Sequence, residues 1–136
     1  MKKITSLLIV LSIVISLKAQ DTTSNQIAIL PFISNGIDLA SVQTAESLFR
    51  MDLSKVSSMD IISERKVRAA MGDYDCADLE CAVEIGEKLS ANEVLFCTLS
   101  PLGEKIIIQY ILVETSAGKN ILSEQATALS LEDLDA

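Results

Sequence analysis

The sequence predicts an α/β (α+β) domain, a mixed sheet of about five strands with two or three packed helices. Three observations carry this prediction. Short apolar runs and amphipathic segments follow one another in the order β, α, β, α, α, β, β, β. The last three runs are joined by the turn sequences Pro101-Leu102-Gly103-Glu104 and Ser116-Ala117-Gly118-Lys119, and such hairpins exclude an all-parallel sheet. The stretch CADLECAVEIGEKLSANEVL, from Cys76 to Leu95, puts a cysteine pair ahead of a short amphipathic helix and a buried strand. The layers are two or three, depending on which faces the helices cover.

Residues 27–33 form the first apolar run and predict a core strand. Pro31 cannot donate to a ladder, so it places the end of that strand at an edge or a loop. Asn35-Gly36 signals a turn. Beyond it Val42, Ala45, Leu48, Phe49, Leu53 and Val56 recur at helical spacing, with Asp38 or Ser41 placed to cap the helix. Residues 59–63 read as a second, short strand, and residues 64–71 as a helix with Val67, Ala70 and Met71 on its apolar side and Gly72 at its end. A further helix over residues 78–90 starts at Asp78 and turns Ala82, Ile85, Leu89 and Val83 inward. Residues 93–99 resume as a strand. Residues 105–115 contain IIIQYILV, apolar on both alternating faces, which predicts a central strand covered on both sides. The meander closes near Thr127. Ser130-Leu131-Glu132-Asp133 has the form of a helix start, so the domain is expected to be truncated at a C-terminal helix or to end in a frayed turn.

The amino terminus predicts export. Lys2 and Lys3 precede a run that is apolar apart from Thr5, Ser6, Ser12 and Ser16, and Leu17-Lys18-Ala19 supplies the small residue at a cleavage site. Residues 1–19 are read as a signal peptide and residues 20–136 as one domain. The alternative is a membrane anchor, but the apolar run is shorter than the roughly 20 residues that span a bilayer. The lack of a cysteine near the cleavage site argues against a lipidated amino terminus.

Without Lys2, Lys3 and Lys18 the chain keeps eight basic against nineteen acidic residues, a formal charge near −11. Such a surface is soluble, favours cationic partners over any others, and speaks against nucleic acid. Histidine is absent, which removes Ser/His and Cys/His nucleophile pairs. The five glycines form neither GxGxxG nor GxxxxGK. No cofactor is expected.

Of the three cysteines, Cys76 and Cys81 enclose four residues. In an oxidising compartment a structural disulfide is the first reading, free thiols the second; the spacing is not that of a CxxC redox catalyst, and the ligand set for zinc is missing. Cys97 is expected as an unpaired, small apolar core residue. Asp73, Asp75, Asp78 and Glu80 gather around the cysteine loop without matching the DxDxDG calcium pattern, so a solvated acidic turn is expected and no metal site is assigned.

Taken together, the run IAILPF, the segment MDIISERKV, CADLECAVEIGEKLSANEVLF and the strand pair IIIQYILVETSAGKNILSEQA resemble exported bacterial domains related to the TolB amino-terminal domain and the curli secretion component CsgG. The resemblance spans residues 27–127. It rests on Pro31 and Phe32 in the first strand and on Cys81, Ala82, Glu84, Ile85, Gly86, Leu89, Ala91 and Val94 in the second motif. It implies an anticodon-binding-like fold in which Gly86 lets a helix approach the sheet and the other motif residues fill the core. It also implies a periplasmic module, soluble or peripheral to the outer membrane, that binds envelope proteins without catalysis.

The alternative is a homo-oligomeric subunit of a curli-type outer-membrane secretion complex. A third class, an enzyme working through Asp73, Asp75 and Glu80 alone, lacks a supporting motif.

Overall fold

The computed structural model describes residues 24–128, so the signal segment and the helix start at Ser130 lie outside the described residues. The elements are β1 (Gln26–Ile29), β2 (Ile33–Ser34), α1 (Leu39–Val56), β3 (Asp60–Ile61), α2 (Glu64–Met71), α3 (Leu79–Leu89), β4 (Glu93–Leu102), β5 (Lys105–Glu114) and β6 (Lys119–Ala128). They form one mixed sheet in the order β3-β1-β4-β5-β6, with β2 pairing a further part of β4. β1 runs parallel to β3 and β4, and β4, β5 and β6 form an antiparallel meander.

The first strand is shorter than its apolar run. β1 pairs with Glu93, Val94 and Leu95, Leu30 still donates its N–H to the Leu95 carbonyl at 2.9 Å, and β2 rejoins β4 at Thr98 and Leu99, so the ladder breaks at Pro31 and Phe32. Pro31 has no N–H to give, and the N–H of Phe32 goes to Glu46 instead of a strand. The second predicted strand is cut to Asp60–Ile61 at the sheet's edge.

Aspartate side chains cap the starts of α1 and α3, and backbone N–H groups close the helix ends. Asp38 accepts from the Ser41 N–H at 2.9 Å and from the Ser41 hydroxyl at 2.6 Å, so Asp38 is the cap and Ser41 its donor. Gly72, at φ +63°, ends α2 by returning its N–H to the Arg68 carbonyl. Asp78 caps α3 through the Cys81 N–H at 2.8 Å.

Alternation along the strands distributes two cores. Ala28, Leu30, Val94, Phe96 and Val113 point to α2 and α3, meeting Val67, Met71, Ala82 and Ile85. Ile27, Ile29, Leu95, Cys97 and Leu99 point to the face covered by α1. The arrangement is therefore three-layered over β1 and β4.

At Gly86, a Cβ would stand 2.6 Å from Thr115 Oγ1 and 2.7 Å from Val94 Cγ2, so only glycine permits this approach of α3 to the sheet. The approach buries the Thr115 hydroxyl without a hydrogen-bond partner among the described residues.

Two expectations are corrected. Glu84 does not fill the core: it faces solvent on α3 and pairs with Lys88 at 2.9 Å, one turn on. IIIQYILV is central in strand order but not covered on both sides, since only Ile108 and Val113 of β5 are buried. The helices end over β4 and the near part of β5, so nothing among the described residues lies over Gln109 on the α2 and α3 side.

Candidate functional site

After β1 the chain turns toward α1 on one face of the sheet, and after the neighbouring β3 it turns toward α2 on the other. Where successive connections part in this way, a crevice opens outside the carboxyl ends of the parallel strands. Here it is a cleft of about 530 Å³. Phe32, Ile37 and Val42 form one wall and Met71, Gly72 and Cys76 the other, with Arg68 between them. Leu39 and Tyr74 stand at its lips, 70% and 80% exposed.

Both walls are fixed. On the β1 side the tie is Glu46, a charged residue inside the apolar stripe of α1 and only 3% exposed. Its Oε2 accepts from the Phe32 N–H at 3.1 Å, and its Oε1 lies 3.2 Å from Arg50. Arg50 in turn donates to the Ile29 carbonyl. The second arginine, Arg68, reaches Glu46 at 3.9 Å from α2 and holds Glu64 at 2.7 Å. The carboxylate thus holds the Phe32 N–H directly and the Ile29 carbonyl through Arg50, on either side of the point where the ladder breaks, in a site where a lone charge would be strongly penalised. Sequence reading missed Glu46, although a Glu between Ala45 and Phe49 with Arg four residues later is a readable signal.

On the other side Cys76 and Cys81 form a disulfide, with Cα atoms 5.6 Å apart. It joins the loop that bears Tyr74 to the first turn of α3. Cys76 is buried among the core residues, so the tether ends inside the domain.

The sequence-derived residues divide accordingly. Pro31, Phe32 and Cys76 line the cleft. Ala82, Ile85, Gly86 and Ala91 are buried behind it, Leu89 is partly so, and Glu84 is outside. Asp73 and Asp75 lie exposed at the cleft, while Asp78 is engaged as a helix cap. Among the described residues no three acids and cysteines converge to hold a metal ion.

The one free thiol, Cys97, lies buried on the α1 face, where burial, with the nearby Glu46 carboxylate, pushes its pKa up to about 12. A thiol so poorly ionised is no nucleophile at neutral pH. The cleft presents an apolar floor, one arginine, two exposed aspartates and two exposed apolar lips.

No family model matches the chain. No curated protein matches it significantly. Its fold is similar to the C-terminal domain of LpoB from Escherichia coli, with a TM-score of 0.63 and 17% identity over 86% of this chain and 92% of that one. It is also similar to TolB from Acinetobacter baumannii, with a TM-score of 0.58 and 12% identity over 82% of this chain and 25% of that one. A third similar structure is a PelC dodecamer from Paraburkholderia phytofirmans, with a TM-score of 0.54 and 16% identity over 77% of this chain and 71% of that one. At such identities the likeness establishes the fold, which is TolB- and LpoB-like. Among the described residues no helix is long and apolar enough to cross a membrane.

Proposed function

We propose that this chain is a non-catalytic module of the bacterial cell envelope that binds another envelope protein in the cleft beyond β1. The observation that carries the reading is the pair of exposed lips, Leu39 and Tyr74, over a cleft whose walls are tied by Glu46 and by a disulfide. Large apolar side chains held out over a rigid recess are what protein interfaces use as anchors, because little conformational freedom is lost when a partner covers them. The export-type amino terminus and the disulfide support a periplasmic location, soluble or peripheral to the outer membrane.

The test is capture of the tagged chain from crosslinked envelopes, beside a Leu39→Asp, Tyr74→Ala variant with an unchanged circular dichroism spectrum. A partner recovered with the parent chain and lost from the variant supports the cleft. A partner retained equally by both overturns it.

A second reading is favoured by the PelC dodecamer, a similar fold that assembles with itself. In it this chain is a subunit of a self-assembling, curli-type secretion complex at the outer membrane. Ring-sized particles in native mass spectrometry support that reading; a chain that never exceeds two copies removes it.

A further inference from the structure

Among the described residues β6 is an unguarded sheet edge. It pairs there only with β5, leaving one side of a ten-residue strand without a backbone partner among them, and nine of those residues are exposed. Edges that must stay single carry proline, several charges or inward-pointing lysines. This one has no proline and, apart from Lys119 at its start, a single charge, Glu124. Its exposed residues past the bulge near Leu122 are largely neutral: Ser123, Gln125 and Thr127 on one face, Leu122 and Ala126 on the other.

We propose that two copies of this chain pair antiparallel along β6, about a two-fold axis that passes through Gln125 normal to the sheet. The register follows from symmetry. Side chains opposite one another in a ladder share a face, so two identical strands related in this way must pair some residue with itself. Pairing Glu124 with itself sets two carboxylates together, and pairing Ser123 with itself sets Leu122 against Glu124. At Gln125 both faults vanish. Glu124 meets Ala126, Ser123 meets Thr127 and Leu122 meets Ala128. Among the described residues the regular run past the bulge is 122–128, and this register, with Gln125 at its midpoint, uses all of it.

Two features of the fold already fit a second copy. Gln109 Nε2 donates to Gln125 Oε1 at 3.4 Å across the β5–β6 ladder, and pairing continues that row as Gln109, Gln125, Gln125, Gln109 over both copies. On the opposite face Leu122, Ala126 and Ala128 line an apolar groove of about 470 Å³ with Phe49 and Tyr110. The second copy brings another Leu122 to its open margin beside Ala128.

The inference goes beyond both readings: it names a contact between two copies and depends neither on the cleft nor on a ring. Because the contact is isologous it closes at two copies. A dimer that forms no larger ring therefore keeps this inference while overturning the ring.

Cysteine crosslinking of the exported, oxidised chain tests it. Its own cysteines do not interfere, since Cys76 and Cys81 are bonded and Cys97 is buried. Across a paired two-fold position the Cα atoms stand about 4.5–5.5 Å apart, within disulfide reach. Gln125→Cys is expected to give a covalent dimer on mild oxidation. Ser123→Cys alone is not, because its copy lies about 13 Å along the strand, whereas Ser123→Cys mixed with Thr127→Cys is.

Sedimentation of the unsubstituted chain should show a concentration-dependent dimer, and Gln125→Glu should shift its midpoint to higher concentration. Failure of Gln125→Cys to crosslink, or equal crosslinking by Ser123→Cys alone, overturns the register. Crosslinking of Gln125→Cys to a different envelope protein instead of itself overturns the second copy as occupant.

Discussion

The sheet has two halves of similar apolar content and opposite fates. Over β1 and β4 the alternating side chains are enclosed on both faces, by α1 on one and by α2 and α3 on the other, and Ile29, Leu30, Val94 and Leu99 are fully buried. On β5 and β6 the same alternation continues, yet two residues of β5 and one of β6 are buried. The difference is one of supply. Three helices roof the parallel half, and nothing among the described residues roofs the far side of the hairpin. An apolar run therefore reports that a strand will form, while the number of helices within reach decides whether it becomes core or contact surface.

The contrast is open to direct attack. Glu46→Ala should have the largest effect, about 3–5 kcal/mol, because it strands the nearly buried Arg50 and orphans the Phe32 N–H. Urea unfolding followed by circular dichroism measures it, and a loss under about 1 kcal/mol would mean that the carboxylate is solvated in solution. Next, Leu30→Ala in the roofed half should cost about 3 kcal/mol through the cavity it leaves. Leu122→Ala in the bare half should cost less than about 1 kcal/mol, and equal losses would erase the distinction.

Reduction of the disulfide should come third, at about 2 kcal/mol, the loop-closure entropy of so short a ring. Its companion measurement is a thiol count. The folded, oxidised chain should expose no reactive thiol, the unfolded and unreduced chain one, and the reduced chain three. Three before reduction would remove the bridge and leave the Tyr74 wall untethered.

The smallest effect concerns the cap of α1. The Ser41 hydroxyl and then its backbone N–H hold the Asp38 carboxyl below its usual value. A carboxyl depressed by folding stabilises fully above its unfolded pKa and loses that contribution as pH falls through the folded one. The stability gap between the parent chain and Asp38→Asn should thus be present at neutral pH and close in acid. A gap that does not change with pH would show that the cap acts without its charge.

Local rules made much of this chain legible. Helical spacing from Val42 to Leu53 and from Ala82 to Leu89 locates two helices, Asp38 and Asp78 mark their starts, and Gly72 marks the end of α2, because caps act within one turn of the residues that need them. The turns at Gly103 and Gly118 were readable for the same reason, both glycines adopting positive φ. Glu84 is the exception: the resemblance implies a core-filling role for it, whereas a Glu four residues before a Lys on a helix is as well suited to solvent, and that is where it lies.

What the sequence determined by itself was the order and kind of the elements and the cysteine pair that an oxidising compartment would bridge. Only tertiary structure decided that the ladder breaks at Pro31 and Phe32, with the Phe32 N–H given to Glu46, that the cleft opens between connections leaving to opposite faces, and that among the described residues β5 lacks a second cover. Those outcomes depend on contacts between Phe32 and Glu46, or between α1 and the sheet, that are distant along the chain. A local pattern sets which way a side chain points, but whether something waits there to meet it is settled only when the layers close.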